Sequence, residues 1–320
     1  VVVLQRDPEG EGREVNRTER QNLVKGLAFT SPWIIGFCIF TLVPVALSFY
    51  YSLCDYTLLQ DPHFVGLKNY QLMMGDALFW KSLINTFYFA AISIPSAMLV
   101  SLGLAILLNE RISGQGIYRT IIFLPSLVPV VASAMLWMWL FNGEFGLINA
   151  LLAKVGIQGP AWLSAEMVSY GEGPEPTKLY WAMPALAFMS LWGVGHTVTI
   201  YLAGLQDVPP DLYEAAEIDG AGPVSRLFNV TLPMLSPVIF FNLIMAIIGT
   251  LQVFAIPFIM TGGGPDRSTT FYTMYLYDNA FRFLRMGYAS SLAWVQLLII
   301  LLLTGFAFWS SRKWVHYQGK

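Results

Sequence analysis

Residues 211–237 read DLYEAAEIDGAGPVSRLFNVTLPMLSP. The stretch lies between two long apolar runs, yet it carries Asp211, Glu214, Glu217, Asp219 and Arg226. Local signals divide it into two short helices joined by a turn. Pro209 and Pro210 end whatever precedes them. Asp211 is placed to cap the first helix, with Glu214 three residues on as the reciprocal partner of a capping box. Gly220 suits the left-handed position just past a helix end. Pro223 fits the first turn of a second helix, and Pro233 limits it. Ala215 and Ala216 leave a low surface on which another protein can pack closely. These cues describe a docking knob and an ordinary interhelical loop equally well.

The flanking runs set the class. Of 320 residues, 56% are hydrophobic and 12% charged, with a mean hydropathy of +0.57. That is far from the composition of a soluble domain. Several apolar runs reach the roughly 20 residues that cross a bilayer as a helix. Six are expected, over residues 31–53, 83–108, 120–141, 180–204, 236–260 and 289–309. Pro44, Pro95, Pro125 and Pro129 fall inside the first three, and Pro44 predicts a kink. The fold class expected is therefore all-α, a polytopic membrane protein with six transmembrane helices.

Three domains follow: a polar, loosely ordered tail over 1–26, a membrane domain over 27–311 with a polar loop over 205–235, and a short tail over 312–320. The first apolar run is longer than a signal-peptide core and reads as a retained span. The chain begins with Val1, so an initiator is expected upstream. Residues 142–179 and 261–288 form the other long connections, and 142–179 reads as a solvated segment.

Basic residues orient the spans. With both termini in the cytoplasm, the inner segments hold Arg6, Arg13, Arg17, Arg20, Lys25, Arg111, Arg119, Arg226, Arg312, Lys313 and Lys320. The outer segments hold Lys68, Lys81, Lys154, Lys178, Arg267, Arg282 and Arg285. Eleven against seven places residues 211–237 inside. Trp33, Trp80, Trp137, Trp139, Trp181, Trp309 and Trp314 fall near span ends, where interfacial anchors belong.

Several classes are excluded. A net charge of -2 without a basic cluster gives no sign of nucleic-acid binding. No G-x-x-x-x-G-K-[ST] occurs, so ATP is not bound through a P-loop. His63, His196 and His316 are far apart, and no metal site is expected. Cys38 and Cys54, about 24 Å apart if on one helix, cannot form a disulfide there and read as packing residues. Carboxylates within the spans, which a proton-driven carrier needs, are nearly absent. Asp278 and Arg282 are spaced as a surface ion pair rather than a catalytic pair. The polar groups in the spans are mainly neutral: Asn85, Ser133, His196, Thr197, Thr199, Asn242, Thr250, Gln252 and Gln296. Such a lining suits a neutral polyhydroxylated solute better than an ion.

The candidate pathway residues lie on spans four and five. Trp192, Gly193 and His196 fall within about one turn, and Gly193 with Gly195 can loosen the helix there. Ala246, Gly249, Thr250 and Val253 share a face at three- and four-residue spacing, with Asn242 and Gln252 as seconds. Small residues leave room, Thr250 can bond a hydroxyl, and Trp192 can stack on a sugar ring. Plain helix–helix packing favours the same small residues, so both readings stand.

The central stretch also carries a resemblance. Glu214-Ala215-Ala216, three residues, Gly220, nine residues, Val230, one residue, then Leu232-Pro233 resembles the EAA loop of binding-protein-dependent ABC importer permeases. Val230 stands where the family often has Ile. Phe64-Val65-Gly66-Leu67, Asn69-Tyr70, Asn85-Thr86, Tyr118-Arg119 and Leu124-Pro125 are similar to the carbohydrate-type members. Gly262-Gly263-Gly264-Pro265 with Ser268-Thr269, Tyr277 and Phe281 is similar to the external loop of the MalF-like subunit of a pair. The resemblance covers roughly residues 30–310.

It implies a type I ABC importer permease fold and a transport role rather than an enzymatic one. The chain would form half of a heterodimeric pore for a sugar, in a bacterial or archaeal cytoplasmic membrane. Its partners would be a MalG-like permease, two ABC ATPase subunits that bind the ATP and Mg, and an extracytoplasmic solute-binding protein. No cofactor is implied for this chain. Glu214 would contact the ATPase, Ala215 and Ala216 would form the close-packed surface, and Asp219 and Gly220 the turn. A permease for a polyol phosphate or another small solute, or a secondary carrier, are the alternatives.

Overall fold

The computed structural model describes residues 8–110, 113–163, 167–170 and 177–316. Arg6, Arg111 and Lys320, used above for orientation, lie outside the described residues, as do residues 1–7 and 317–320 of the tails and parts of 142–179.

The chain opens with α1 (Pro8–Phe37), a π-helical turn (Cys38–Leu42) and α2 (Val43–Ser52), one continuous helix. The tail expected to be loosely ordered is thus helical from Pro8 onward. Proline at the first position suits a helix start. Pro44 is accommodated by the π turn, where Val43 N–H bonds the Cys38 carbonyl. A proline has no N–H and crowds the carbonyl four residues back; one extra residue in the preceding turn relieves both. A strand pair, β1 (Cys54–Asp55) with β2 (His63–Phe64), turns the chain back into α3 (Lys68–Met74) and α4 (Ala77–Asn109).

The third apolar run is not one span. α5 (Gln115–Phe123) and a 3-10 turn meet α6 (Val130–Leu140) at 98°, because Pro125 and Pro129 both fall at the junction. α7 (Leu147–Lys154) and the strand pair β3 (Met167–Tyr170) with β4 (Thr177–Tyr180) follow. The fourth run is α8 (Ala182–Ser190), a 3-10 turn over Leu191–Gly193, and α9 (Gly195–Gln206), bent by 50° at the two glycines.

α10 (Pro210–Ile218) and α11 (Pro223–Arg226) fill the polar loop. A second π turn (Leu227–Thr231) then joins α11 to α12 (Leu232–Leu251). Pro233 therefore does not end the second helix; again a π turn precedes the proline, and the helix runs on into the fifth span. α13 (Ala255–Met260), α14 (Tyr272–Tyr277), a π turn (Asp278–Arg282) and α15 (Met286–Ser311) complete the chain. Among the described residues, four helices are long and apolar enough to cross a membrane, and up to six if each bent pair is one span. Much of the exterior is apolar, with Phe29 93% and Phe40 79% exposed, a surface suited to a bilayer and not to water.

Residues 261–288 are not a plain linker. Phe271, Tyr272, Met274 and Tyr275 are buried; Tyr272 and Tyr275 pack with Phe79, Met73 and Leu292, and Phe271 with Phe89. Asn85 Nδ2 donates to the carbonyls of Arg267 at 2.9 Å and Thr270 at 3.1 Å, and Thr86 Oγ1 accepts from Tyr272 N–H at 2.9 Å. Asn85-Thr86 and the glycine-rich loop, some 180 residues apart in sequence, are thus two halves of one clamp. Asn69 plays a similar part: its amide donates to the Ser52 and Cys54 carbonyls at 2.9 and 2.8 Å, satisfying the end of α2. Cys54 is buried as a packing residue, whereas Cys38 is exposed on the helix exterior.

Asp76 caps α4. Its carboxylate accepts Leu78 N–H at 2.9 Å, Phe79 N–H at 3.4 Å, Tyr288 O–H at 2.9 Å and Tyr275 O–H. Partial burial pushes its pKa up and is the largest single influence, but the hydrogen bonds together hold it below the usual carboxylate value. A depressed folded pKa stabilises the fold above the unfolded value of about 4 and loses that contribution as pH falls through the folded value. Asp76→Ala is expected to lower stability at neutral pH by about 1 kcal/mol. It should also flatten the fall of the thermal midpoint in acid. A midpoint unchanged at pH 7 would show that the cap contributes nothing.

Candidate functional site

Two regions carry the candidate residues: the polar loop and the bends of spans four and five.

In the loop, α10 begins two residues earlier than expected. Pro209 occupies the cap position and Pro210 the first helical one, so no side-chain cap bond forms. The capping box of Asp211 and Glu214 is not made. Asp211 lies in the first turn, where its charge favours the helix start through the macrodipole. The far end is as expected. Gly220 has φ +78°, Ala221 N–H bonds the Ala216 carbonyl at 2.8 Å, and Gly220 N–H bonds the Glu217 carbonyl at 3.0 Å. This pair of bonds is a Schellman cap.

Glu214, Ala215, Asp219 and Gly220 are exposed and Ala216 half-buried. Beside them Ile218 is 87% exposed, Val224 69% and Phe228 62%. These three apolar side chains add to the low alanine surface, and sequence reading missed them because isolated apolar residues in a polar loop show no periodicity. The loop is held from behind. Tyr213 Oη lies 3.1 Å from Thr231 Oγ1, and Arg226 pairs with Glu217 at 3.6 Å. A cavity of about 490 Å3, lined by Ile106, Asn109, Glu110, Leu205, Tyr213 and Thr231 among others, separates α10 from the adjoining end of α4.

At the bend of the fourth span, Trp192 is half-buried and edge-on to Trp137, with centroids 6.1 Å apart. Val253, just past the end of α12, packs on the same aromatic cluster. His196 points elsewhere, exposed and edge-on to Phe123 at 5.1 Å. Ala246 and Thr250 are half-buried and Gln252 exposed. Asn242 is buried, and its amide donates to the Val238 carbonyl of its own helix at 3.0 Å, so it does not line an open surface of this chain.

The glycines separate the two readings left open by the sequence. A Cβ at Gly193 or Gly249 would meet nothing within 4 Å, so neither serves close packing within this chain. A Cβ at Gly195 would come within 2.8 Å of the Ile122 carbonyl, and one at Gly204 within 2.7 Å of Val238. Those two are the packing glycines. Other neutral polar residues are structural as well: Gln296 donates to the Leu251 carbonyl at 2.8 Å, closing the break after α12.

Trp137 belongs to the core rather than to an interface. It is 7% exposed and packs against Phe141, Phe188 and Trp192. Its position near a span end concealed this, because the 98° bend carries the end of the third run inward. A further cavity of about 450 Å3 between α5 and α9 is lined by Arg119, Thr120, Thr199 and Gln206 among apolar residues. The buried Nε of Arg119 has no hydrogen-bond partner among the described residues. Among the described residues there is no cluster of three His, Cys, Asp or Glu able to hold a metal. Asp278 and Arg282 form the expected surface pair at 3.1 Å.

Residues 97–316 match the family described as "Binding-protein-dependent transport system inner membrane component". The chain is 40% identical over 310 residues to the probable ABC transporter permease protein YesP of Bacillus subtilis, covering 95% of this chain and 96% of that protein. It is 35% identical over 277 residues to the sulfoquinovosyl glycerol transport system permease protein SmoG of Agrobacterium fabrum, covering 86% of each. A crystal structure of a bacterial ABC transporter importing the acidic polysaccharide alginate contains a chain of the same fold. It aligns at a TM-score of 0.76 and 22% identity, over 94% of this chain and 99% of that one.

Proposed function

Because the chain belongs to the family of binding-protein-dependent transport system inner membrane components, we propose that it forms half of the translocation pathway for a sugar. As a member of that family it is a membrane-spanning permease of an ABC importer that works with a solute-binding protein. The chemistry of ATP belongs to another subunit.

The observation that carries the reading is the exposed helix pair at 210–226, with its EAA pattern and apolar rim, continuous with the fifth span. In our reading an ATPase subunit seats Glu214, Ala215, Ala216, Asp219 and Gly220, together with Ile218. A second, MalG-like permease completes the pore, and two ATPase subunits bind the ATP and Mg. ATP binding need only favour one orientation of the spans over the other. The membrane is the cytoplasmic one, with residues 1–26, 205–235 and 312–320 inside and 27–311 as the permease domain.

The sugar assignment rests on three things: neutral polar groups in the spans, indole rings at the bend, and similarity to SmoG, which is named for sulfoquinovosyl glycerol. Trp192, Gly193, Gly249, Thr250 and Val253, with Ala246 and His196 at the margin, would line the path. Trp192→Ala should raise the half-saturating sugar concentration about tenfold through lost stacking. Unchanged kinetics would remove Trp192 from the path.

One observation favours a second reading, a polyol phosphate. The unpartnered Arg119 Nε at the α5–α9 cavity would suit an acidic group. The deciding experiment reconstitutes the complex in proteoliposomes with its binding protein and follows radiolabelled uptake. ATP-dependent uptake of a neutral sugar supports the first reading. Uptake confined to a polyol phosphate, and abolished by Arg119→Gln, would replace it. Uptake by this chain alone without ATP would refute both.

A further inference from the structure

The π turn at Leu227–Thr231 sits where the polar loop becomes the fifth span, and one side chain bridges both. Thr231 is 7% exposed. Its hydroxyl reaches back to the Arg226 carbonyl at 3.4 Å, across the widened turn, and meets Tyr213 Oη of α10 at 3.1 Å. One arrangement satisfies both contacts: Thr231 donates to the Arg226 carbonyl and Tyr213 donates to Thr231. The sequence pattern gives this position no meaning, since Thr231 is the unspecified residue between Val230 and Leu232.

Other attachments of α10 are weaker. The Arg226–Glu217 pair is 3.6 Å long, with the glutamate side chain 73% exposed, so water and salt screen it. Toward the end of α4 lies the 490 Å3 cavity instead of packing. The strongest contact of α10 with another element is with the π turn. Resting on the functional reading above, we infer that the Tyr213–Thr231 contact is the joint that makes α10 move with the fifth span. Tyr213 and Thr231 are positioning residues. They touch neither sugar nor nucleotide, and they decide whether displacement of α10 is delivered to α12 or absorbed by the cavity.

The test uses the assembled complex with its binding protein in proteoliposomes and reads sugar imported per ATP hydrolysed. Thr231→Val keeps the shape and removes the hydroxyl; Tyr213→Phe removes the other half; Thr231→Ser restores the bond. The first two should each lower the ratio about fivefold, the worth of one hydrogen bond. Hydrolysis should continue, and the serine variant should couple as the wild type does. The double variant should be no worse than either single one, because both remove the same contact.

An unchanged ratio in both single variants would overturn the joint. So would a parallel fall of uptake and hydrolysis, which marks a merely structural role. If Thr231→Val fails to assemble, the half-buried Tyr213→Phe and the serine variant still decide. A wild-type complex without ATP-driven uptake would overturn the functional reading itself, and the joint with it. Normal wild-type coupling with insensitive variants overturns the joint alone.

Discussion

Gly220→Val is expected to cut sugar uptake by about tenfold while the partner ATPase keeps hydrolysing. Gly220 closes α10 at φ +78°. An L-residue there costs about 1–2 kcal/mol, and a β-branched one more. The space around it is open, with nothing within 4 Å of the place a Cβ would take, so the whole effect comes from the backbone. α10 has only nine residues, and its last turn is held by the bonds from Gly220 and Ala221. Fraying them displaces Ala215, Ala216 and Asp219, the face proposed to seat the ATPase. A graded series makes the result specific. Asn, which tolerates the left-handed region, should retain most uptake; Ala should be intermediate; Val should be worst. Normal uptake by the valine variant, in a complex that assembles normally, would show that this turn does not transmit the stroke.

The second large effect concerns assembly of the fold. Gly287 lies in the first turn of α15, and its N–H donates to the Tyr56 carbonyl at 3.0 Å. A Cβ there would collide with the Cys54 carbonyl and come within 3.1 Å of Tyr56 N and 3.2 Å of the Tyr51 carbonyl. All three are backbone atoms, so no side chain can swing away. Gly287→Ala should therefore cost about 2–3 kcal/mol, by forcing the end of the first span off the sixth. The control is Gly305→Ala, on the same helix with nothing within 4 Å, which should be neutral or slightly stabilising. Thermal unfolding in detergent separates them; equal midpoints for the two variants would mean that the contact yields at no cost.

The spans and the polar loop were legible because their signals are local. Runs of apolar residues, Gly220 past a helix end and Pro223 at a helix start each depend on a few neighbours. What sequence reading lost depends on geometry between distant residues. Pro44 and Pro233 look like helix breakers, but each is absorbed by a π turn beginning six residues earlier, so the helix continues. Pro125 and Pro129 break theirs, because two prolines fall within five residues. Asp211 had the right type for a cap, yet Pro210 started the helix two places too soon. The glycine-rich loop read only as part of a long connection, and its bonds to Asn85 and its link to Thr86 through Tyr272 reveal a clamp. In the candidate path, composition singled out Trp192 and Val253, which pack on the same aromatic cluster. It also singled out Asn242, whose helix turns it inward.

The uninterrupted helix from Pro223 to Leu251 has the length to act as a lever. Its 29 residues make a rod about 43 Å long. Pivoting about its midpoint by about 10°, it swings each tip by about 4 Å in opposite directions. That is more than the diameter of a water molecule. The rod stops at Gln252, and the next residue, Val253, packs on the aromatic cluster that also holds Trp192. With such a pivot the arm that adjoins α10 and the arm that borders the aromatic cluster are of equal length, and the rod would trade neither force for distance nor distance for force.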